Sequence, residues 1–281
     1  MSGILYLVGT PVGNLGDLAP RARETLARVA TAACEDTRTC RRLYHWLGVP
    51  APRLIAYHDH NAETALPAVL ERLAGGEEVA LVTDAGMPAI QDPGYRLVAA
   101  ARRRGVPVVP VPGPSALVLA LSASGLPTDR FAFLGFPPRR GRERWWREAL
   151  ARCETIVVYE AAGRVARALA EIGARDPDRP VCLARELTKL HEEFVIGPVR
   201  EVAEKLAGRE EDLRGECVLV VGGAGEDAIG AVPWREALDC LKRSRAGREL
   251  SGRDVVDVLT CVYPAGRNAI YEAVIAGWEE P

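Results

Sequence analysis

Apolar residues recur along this chain in runs of strand length, and nearly every run empties into a cluster of turn-forming or charged residues. Ile4–Val8, Ala30–Cys34, Leu54–Tyr57, Val79–Thr83 and Val106–Val111 are such runs. They read as short strands, and the mostly apolar ones suit burial on both faces of a parallel sheet. Between them the pattern turns helical. Pro20 opens a helix that reaches Val29, another runs to Leu47, and Asn61 is placed to cap a third. Pro93-Gly94 opens a helix to Arg104 with Gly105 suited to its C-terminal cap, and Pro112–Ser115 leads into one more. Strand–helix–strand crossovers demand parallel pairing, so residues 1–126 are predicted to form a parallel, doubly wound five-stranded α/β domain. Turn formers from Ser124 to Asp129 mark its end.

The pattern then changes. Phe131–Phe136, Thr155–Tyr159, Val181–Ala184, Glu192–Ile196 and Cys217–Val221 are predicted strands of a second α/β domain, residues 127–225. Leu187–Glu193 is too short for a helical crossover, which makes the strands on either side an antiparallel hairpin and the second sheet mixed. Gly222–Gly225 ends this domain. Residues 226–281 read as a helical tail, with helices at Trp234–Arg243, Ser251–Val262 and Gly266–Gly277. Ser251 and Asp254 stand at capping-box spacing.

Composition changes this picture little. At 281 residues and 48% apolar the chain suits two globular domains. It has no apolar run of membrane-spanning length, and Met1–Thr10 lacks the basic start of a signal peptide. Seven cysteines without CxxC spacing suggest reduced thiols in a cytoplasmic protein and give no metal motif. A net charge of −2 argues against a protein held to nucleic acid by bulk charge. The arginines nonetheless cluster, at Arg102–Arg104, Arg139–Arg147 and Arg243–Arg253. The last cluster is either a solvated loop or a nucleic-acid contact. The middle one surrounds Trp145 and Trp146: it is either an RNA-facing surface or an amphipathic helix with its indoles buried and arginine stems along it.

Candidate chemistry sits in the loops at strand carboxyl ends, where open α/β sheets place their ligands. Gly9, Gly13 and Gly16 are spaced GxxxGxxG, neither a dinucleotide fingerprint nor a Walker loop, so that loop is either a phosphate cradle or a tight turn. Glu35-Asp36 precedes a helix, serving its dipole or holding a hydroxyl, an amine or a proton. His58 and His60 lack a third metal ligand. Thr83–Gly94 and Val111–Leu117, rich in Gly, Pro and Asp, are read as the wall of a ligand pocket.

Five segments together resemble a known family: Leu5–Asp17 (LYLVGTPVGNLGD), Cys34–Thr39 (CEDTRT), Thr83–Gly94 (TDAGMPAIQDPG), Val111–Leu117 (VPGPSAL) and Arg185–Glu193 (RELTKLHEE). In this order they resemble the tetrapyrrole methylase class of methyltransferases, and within it the small-subunit (16S) ribosomal RNA cytidine 2′-O-methyltransferases. The likeness implies two α/β domains with an S-adenosylmethionine cleft between them, and no requirement for metal. By motif position it implies a cleft lined by Val12, Ala85, Gly86, Met87, Ile90, Ser115 and Ala116, closed by Tyr159, Ala184 and Cys217. Methyl transfer to a ribose hydroxyl requires orientation, exclusion of water and removal of a proton. Glu35 and Glu160 are among the acidic candidates, and Asp36, Arg38, Arg185, Glu186 and Lys189 are the residues chosen as catalytic, with a carboxylate or neutral Lys as base and Arg on a phosphate. Arg139, Arg140, Arg142, Arg144, Arg147, Trp145 and Trp146 are the expected RNA contacts. Ribosomal RNA or the assembled small subunit is the expected partner of a cytoplasmic homodimer with no membrane attachment. The tail segment Leu259–Arg267 departs from the family's pattern. Two rival readings are a methylase acting on a tetrapyrrole or other small molecule, and a nucleotide-binding module without catalysis.

Overall fold

The computed structural model describes residues 3–209, 215–224, 234–243, 250–262 and 267–276. Its first half is a five-stranded, wholly parallel sheet built from β1 (Ile4–Val8), β2 (Thr31–Cys34), β3 (Arg53–Ala56), β4 (Glu78–Val82) and β5 (Val108–Val111), in the order β3-β2-β4-β1-β5. Both faces are buried. Leu5, Ala33, Val79 and Leu81 point toward α3 (Ala62–Ala74) and α4 (Tyr95–Arg103), while Tyr6, Val8, Ala32 and Val82 point toward α1 (Pro20–Arg28) and α2 (Thr37–Leu47). Alternate residues of one strand thus feed two cores, which is why these strands show continuous apolar runs.

β5 starts two residues later than the apolar run suggests. Val106 N–H closes the end of α4 by donating to Ala101 O, and the ladder begins where Pro107 O accepts from Leu5 N–H. Asn61 precedes α3 without capping it through its side chain. Its carboxamide instead accepts from His58 N–H and donates to Ala56 O, tying the preceding loop together.

The second sheet comprises β6 (Phe131–Gly135), β7 (Thr155–Ala161), β8 (Pro180–Arg185), β9 (Glu193–Pro198) and β10 (Glu216–Val221), in the order β6-β7-β10-β8-β9. β6 and β7 are parallel and every other pairing is antiparallel, including the expected β8–β9 hairpin. One face, with Ile156, Val158, Leu183 and Leu219, is covered by α6 (Arg142–Leu150), α7 (Val165–Gly173) and α8 (Val199–Leu206). The other face, with Val157, Cys182, Ala184, Val218 and Val220, is covered by Ala120 and Leu121 of α5 (Ala116–Ala123). A helix that follows the first sheet therefore packs on the second, and the loop leading into it is drawn between the two.

The tail carries α9 (Trp234–Arg243), α10 (Gly252–Val262) and α11 (Arg267–Ile275), joined by a small core of Leu238, Val255, Val256, Leu259, Ile270 and Val274. Ser251 and Asp254 do cap α10 reciprocally: Ser251 N–H donates to Asp254 Oδ2 and Asp254 N–H to Ser251 Oγ. Gly225, most of the Arg243–Arg253 cluster and the expected α11 ends at Gly266 and Gly277 lie outside the described residues.

Candidate active site

Four parallel strands deliver their following loops to one edge of the first sheet. β1 leads into Gly9–Asp17, β2 into Glu35, β4 into Thr83–Gly94 and β5 into Pro112–Ser115. Because β10 is antiparallel to β7 and β8, its first residues lie beside their last ones, with Cys217 opposite both Glu160 and Arg185. The two edges face each other across a cavity of about 460 Å³, within the range of small-molecule sites.

The first wall is held by backbone. Thr10 and Gly86 exchange N–H to O bonds of 2.9 and 3.0 Å, and Thr10 Oγ1 donates to Thr83 O at 3.1 Å. Gly86 has φ +82° and nothing nearer than Pro114 O, 3.8 Å from where a Cβ would stand, so the space over its backbone belongs to the cavity. Two of the GxxxGxxG glycines serve close approach: a Cβ on Gly9 would lie 2.6 Å from Gly113 Cα, and one on Gly13 would lie 2.7 Å from Leu187 O. Gly13 is thus where the first loop meets the β8–β9 hairpin.

Val12, Ala85, Gly86, Met87, Ile90, Ser115, Ala116, Tyr159 and Cys217 all line the cavity. Ala184 does not: it is fully buried in the core between α5 and the second sheet. Tyr159 accepts the Leu117 N–H at 3.2 Å, fixing the start of α5 against the second sheet. Burial pushes its phenol up, and pushes the Cys217 thiol up to about 11.

The residues chosen as catalytic divide. Glu186 and Lys189 line the cavity and are joined by a 2.9 Å ion pair. Asp36, Arg38 and Arg185 do not line it. Asp36 caps α2 and holds Arg38 at 2.8 Å, and these bonds lower its carboxyl to about 2. Arg185 pairs with Glu193 at 2.6 Å across the hairpin. The commoner uses of such groups, a helix cap and a cross-strand pair, apply to these three.

Other carboxylates do reach the cavity: Glu35, which was an acidic candidate, and Asp84, Asp92 and Glu216, which sequence reasoning passed over. Burial raises the carboxyls of Glu35 and Asp84, and the charges of neighbouring acids, Asp84 for the first and Asp36 for the second, add to it. Asp92 is pushed up to about 7 by burial, reinforced by Glu35, while a hydrogen bond with Thr83 opposes the shift. The signal was present in TDAGMPAIQDPG, whose two aspartates flank the turn residues. Gln91, Phe136 and Leu187 also face the cavity.

The arginine–tryptophan helix needs a larger correction. Arg142 and Trp146 are buried at 3% and 0% exposure, which removes them from any RNA-facing surface. Arg142 joins Glu160 at 3.0 Å and Glu171 at 2.8 Å, and Trp146 Nε1 donates to Glu171 at 2.8 Å. Trp145 is half-buried, edge-on to Trp146 at 4.9 Å and packed on the same core. Arg139, Arg140, Arg144 and Arg147 stay exposed, Arg144 paired with Glu148. Among the described residues no cluster of His, Cys, Asp and Glu is arranged to hold a metal, and no helix is long and apolar enough to cross a membrane.

Two α/β layers meeting over a backbone-lined cavity define the class, and the match to the tetrapyrrole (corrin/porphyrin) methylase family over residues 4–203 agrees with it. The chain belongs to this family and is a methyltransferase. It is 44% identical over 282 residues to ribosomal RNA small subunit methyltransferase I of Micromonospora olivasterospora, covering 97% of this chain and 87% of the relative. The Escherichia coli O157:H7 protein of the same name is 41% identical over 277 residues, 96% of this chain and 94% of its own. Among solved structures, uroporphyrin-III C-methyl transferase from Thermus thermophilus, complexed with S-adenosyl homocysteine, shares the fold with a TM-score of 0.55 at 24% identity, over 78% of this chain and 97% of that one.

Proposed function

We propose that this enzyme transfers a methyl group from S-adenosylmethionine to the 2′-hydroxyl of a cytidine ribose in small-subunit ribosomal RNA. The observation that carries the reading is the cavity itself. Its backbone-lined first wall, apolar floor of Val12, Met87, Ile90 and Ala116, and carboxylates at Glu35, Asp84, Asp92 and Glu216 suit a nucleoside-sized cation. S-adenosylmethionine is such a cation and supplies an electrophilic methyl carbon. The names of the full-length relatives support ribosomal RNA as the acceptor.

In this reading Gly86 and its neighbours bind the cofactor through backbone groups, and Ser115 offers a hydroxyl. Asp92, whose carboxyl burial pushes up to about 7, takes the proton from the ribose hydroxyl. Glu186 and Lys189 orient that hydroxyl from the opposite wall, while Ile90 and Leu187 keep water away. Arg139, Arg140, Arg144 and Arg147 hold phosphates. The reading carries with it a division at 1–126, 127–225 and 226–281, a cytoplasmic homodimer and action on RNA or the assembled subunit.

The test is methyl transfer from labelled S-adenosylmethionine to purified small subunits and to free ribosomal RNA, with nuclease digestion and mass analysis of the product. One added methyl on a cytidine ribose is expected. A product found only on a tetrapyrrole or other small molecule would overturn the RNA reading.

A further inference from the structure

We infer that Phe136 is the platform on which the base of the acceptor nucleotide stacks when its ribose enters the cavity. This rests on the proposed RNA methylation and assigns a residue to the substrate side of the same site. Phe136 is the residue immediately after β6, so the sheet no longer covers it. It lines the cavity, yet 36% of it is exposed, which places it at the rim. Its ring stands edge-on to Tyr159, centroids 5.5 Å apart and planes at 65°. Tyr159 is in turn fixed by Phe133 at 4.8 Å and by the Leu117 N–H. The aromatic is therefore held in one orientation before any ligand arrives.

The loop on the C-terminal side of Phe136 fits a nucleotide more closely than it fits a small cofactor. Pro137 and Pro138 stiffen the connection, and Arg139 and Arg140 are exposed and, among the described residues, engaged by no carboxylate. The next residue but one, Arg142, is anchored in the core by Glu160 and Glu171. The free guanidinium groups are thus carried on a short loop fixed at both ends. An aromatic at the mouth and arginines a few residues away match a base and its flanking phosphates. Arg139 and Arg140 do not line the cavity, whereas the sulfonium and ammonium of the cofactor suit the carboxylates that do, which leaves the arginines to the acceptor's phosphates.

The experiment compares wild type with Phe136→Ala, Phe136→Leu and Phe136→Trp, using S-adenosylhomocysteine titration and steady-state methylation of an oligoribonucleotide that wild type methylates. If wild type methylates no RNA, the function itself fails, and this inference with it. Given a methylated RNA, Phe136→Ala is expected to raise KM for RNA on the order of tenfold or more. S-adenosylhomocysteine affinity is expected to stay within about twofold, which also reports an intact fold. Phe136→Trp is expected to keep KM low and Phe136→Leu to fall between. With an abasic acceptor nucleotide, wild type and Phe136→Ala are expected to give the same KM. Unchanged KM in Phe136→Ala, a parallel loss of S-adenosylhomocysteine affinity, full rescue by Leu, or a difference that persists on the abasic RNA would each overturn the assignment.

Discussion

Arg142 offers a direct test of how the second half of the chain is held together. Its guanidinium, 3% exposed, bridges Glu160 at 3.0 Å and Glu171 at 2.8 Å, and Glu160 itself is fully buried. Arg142→Met keeps most of the side chain's volume and removes the charge between the two acids. Glu160 still has Arg164 at 2.6 Å and the Ala161 N–H at 3.0 Å, and Glu171 still has Arg167 at 2.9 Å. The loss therefore lies at the lower end of the about 3–5 kcal/mol expected on breaking a buried pair. About 3 kcal/mol is a roughly hundredfold change in the unfolding equilibrium, or about 1.5 M in urea midpoint for a slope near 2 kcal/mol per molar. Urea titration read by Trp fluorescence, for which buried Trp146 is well placed, measures it. The double variant Arg142→Met/Glu160→Leu is expected to be more stable than Arg142→Met alone, since the fully buried acid left short of a partner is then removed, while the partly exposed Glu171 keeps Arg167. KM for RNA is expected to be unaffected in both. Unchanged stability together with a raised KM would refute this reasoning and return Arg142 to the RNA surface.

Further outcomes are expected elsewhere. Trp146→Ala empties a fully buried site and removes the bond to Glu171, with an expected loss of about 3–5 kcal/mol in the same titration. Asp92→Asn is expected to lower kcat by about 10²–10⁴-fold while S-adenosylhomocysteine still binds; an unchanged kcat would remove Asp92 as proton acceptor. Because the Asp92 carboxyl is raised to about 7 in the folded protein, its protonated form favours folding, and that contribution is lost as pH rises from the unfolded pKa of about 3.9 through 7. Asp92→Asn should accordingly raise Tm more at pH 8 than at pH 4, and kcat of the wild type should climb through pH 7 to a plateau. Gly86→Val forces a branched side chain to φ +82° and fills the space over the cavity wall. It is expected to abolish S-adenosylhomocysteine binding with about 1–3 kcal/mol of added strain, and retained affinity in a folded variant would dismiss the pocket assignment.

How much of this was legible in the sequence depended on whether a signal was local. The parallel strands announced themselves because alternate residues feed two cores, which leaves no polar face to interrupt them. The β8–β9 hairpin was legible from the length of its connection. The first cavity wall was legible because its loops carry turn residues whose only use is an unusual backbone path. The buried ends of Arg142 and Trp146 were written in α6 as well: Arg142, Trp146, Ala149 and Leu150 are spaced i, i+4, i+7, i+8 and all buried. A charge at the first of these positions disguised the stripe. Its partners, Glu160 and Glu171, lie on β7 and α7, and only the tertiary structure brings them under α6. Phe136 was hidden differently, as the apparent last residue of a strand that in fact stops at Gly135.

The strain in the backbone ties these observations to the chemistry. Among the described residues, the non-glycine residues with positive φ are Ala89 (69°), Gln91 (63°), Glu186 (51°) and Thr188 (64°). They fall in two loops, one after β4 and one between β8 and β9, and those loops face each other across the cavity. Each such residue costs about 1–3 kcal/mol and persists only where its surroundings over-determine it. Those surroundings are visible. The first loop is pinned by the Thr10–Gly86 bonds. The second is pinned by Lys189 N–H to Glu186 O at 2.9 Å and by Thr188 N–H to Glu192 at 2.6 Å. Left-handed backbone at Glu186 turns its carboxylate and the Lys189 ammonium toward the same space that Asp92 lines from the other side. Two sheets supply the stiffness, and strained loops at their edges use it to hold opposed functional groups in place before a substrate arrives. Rate enhancement in methyl transfer depends on such alignment more than on any one acid or base, because the leaving sulfur is neutral and the reaction's main demand is orientation.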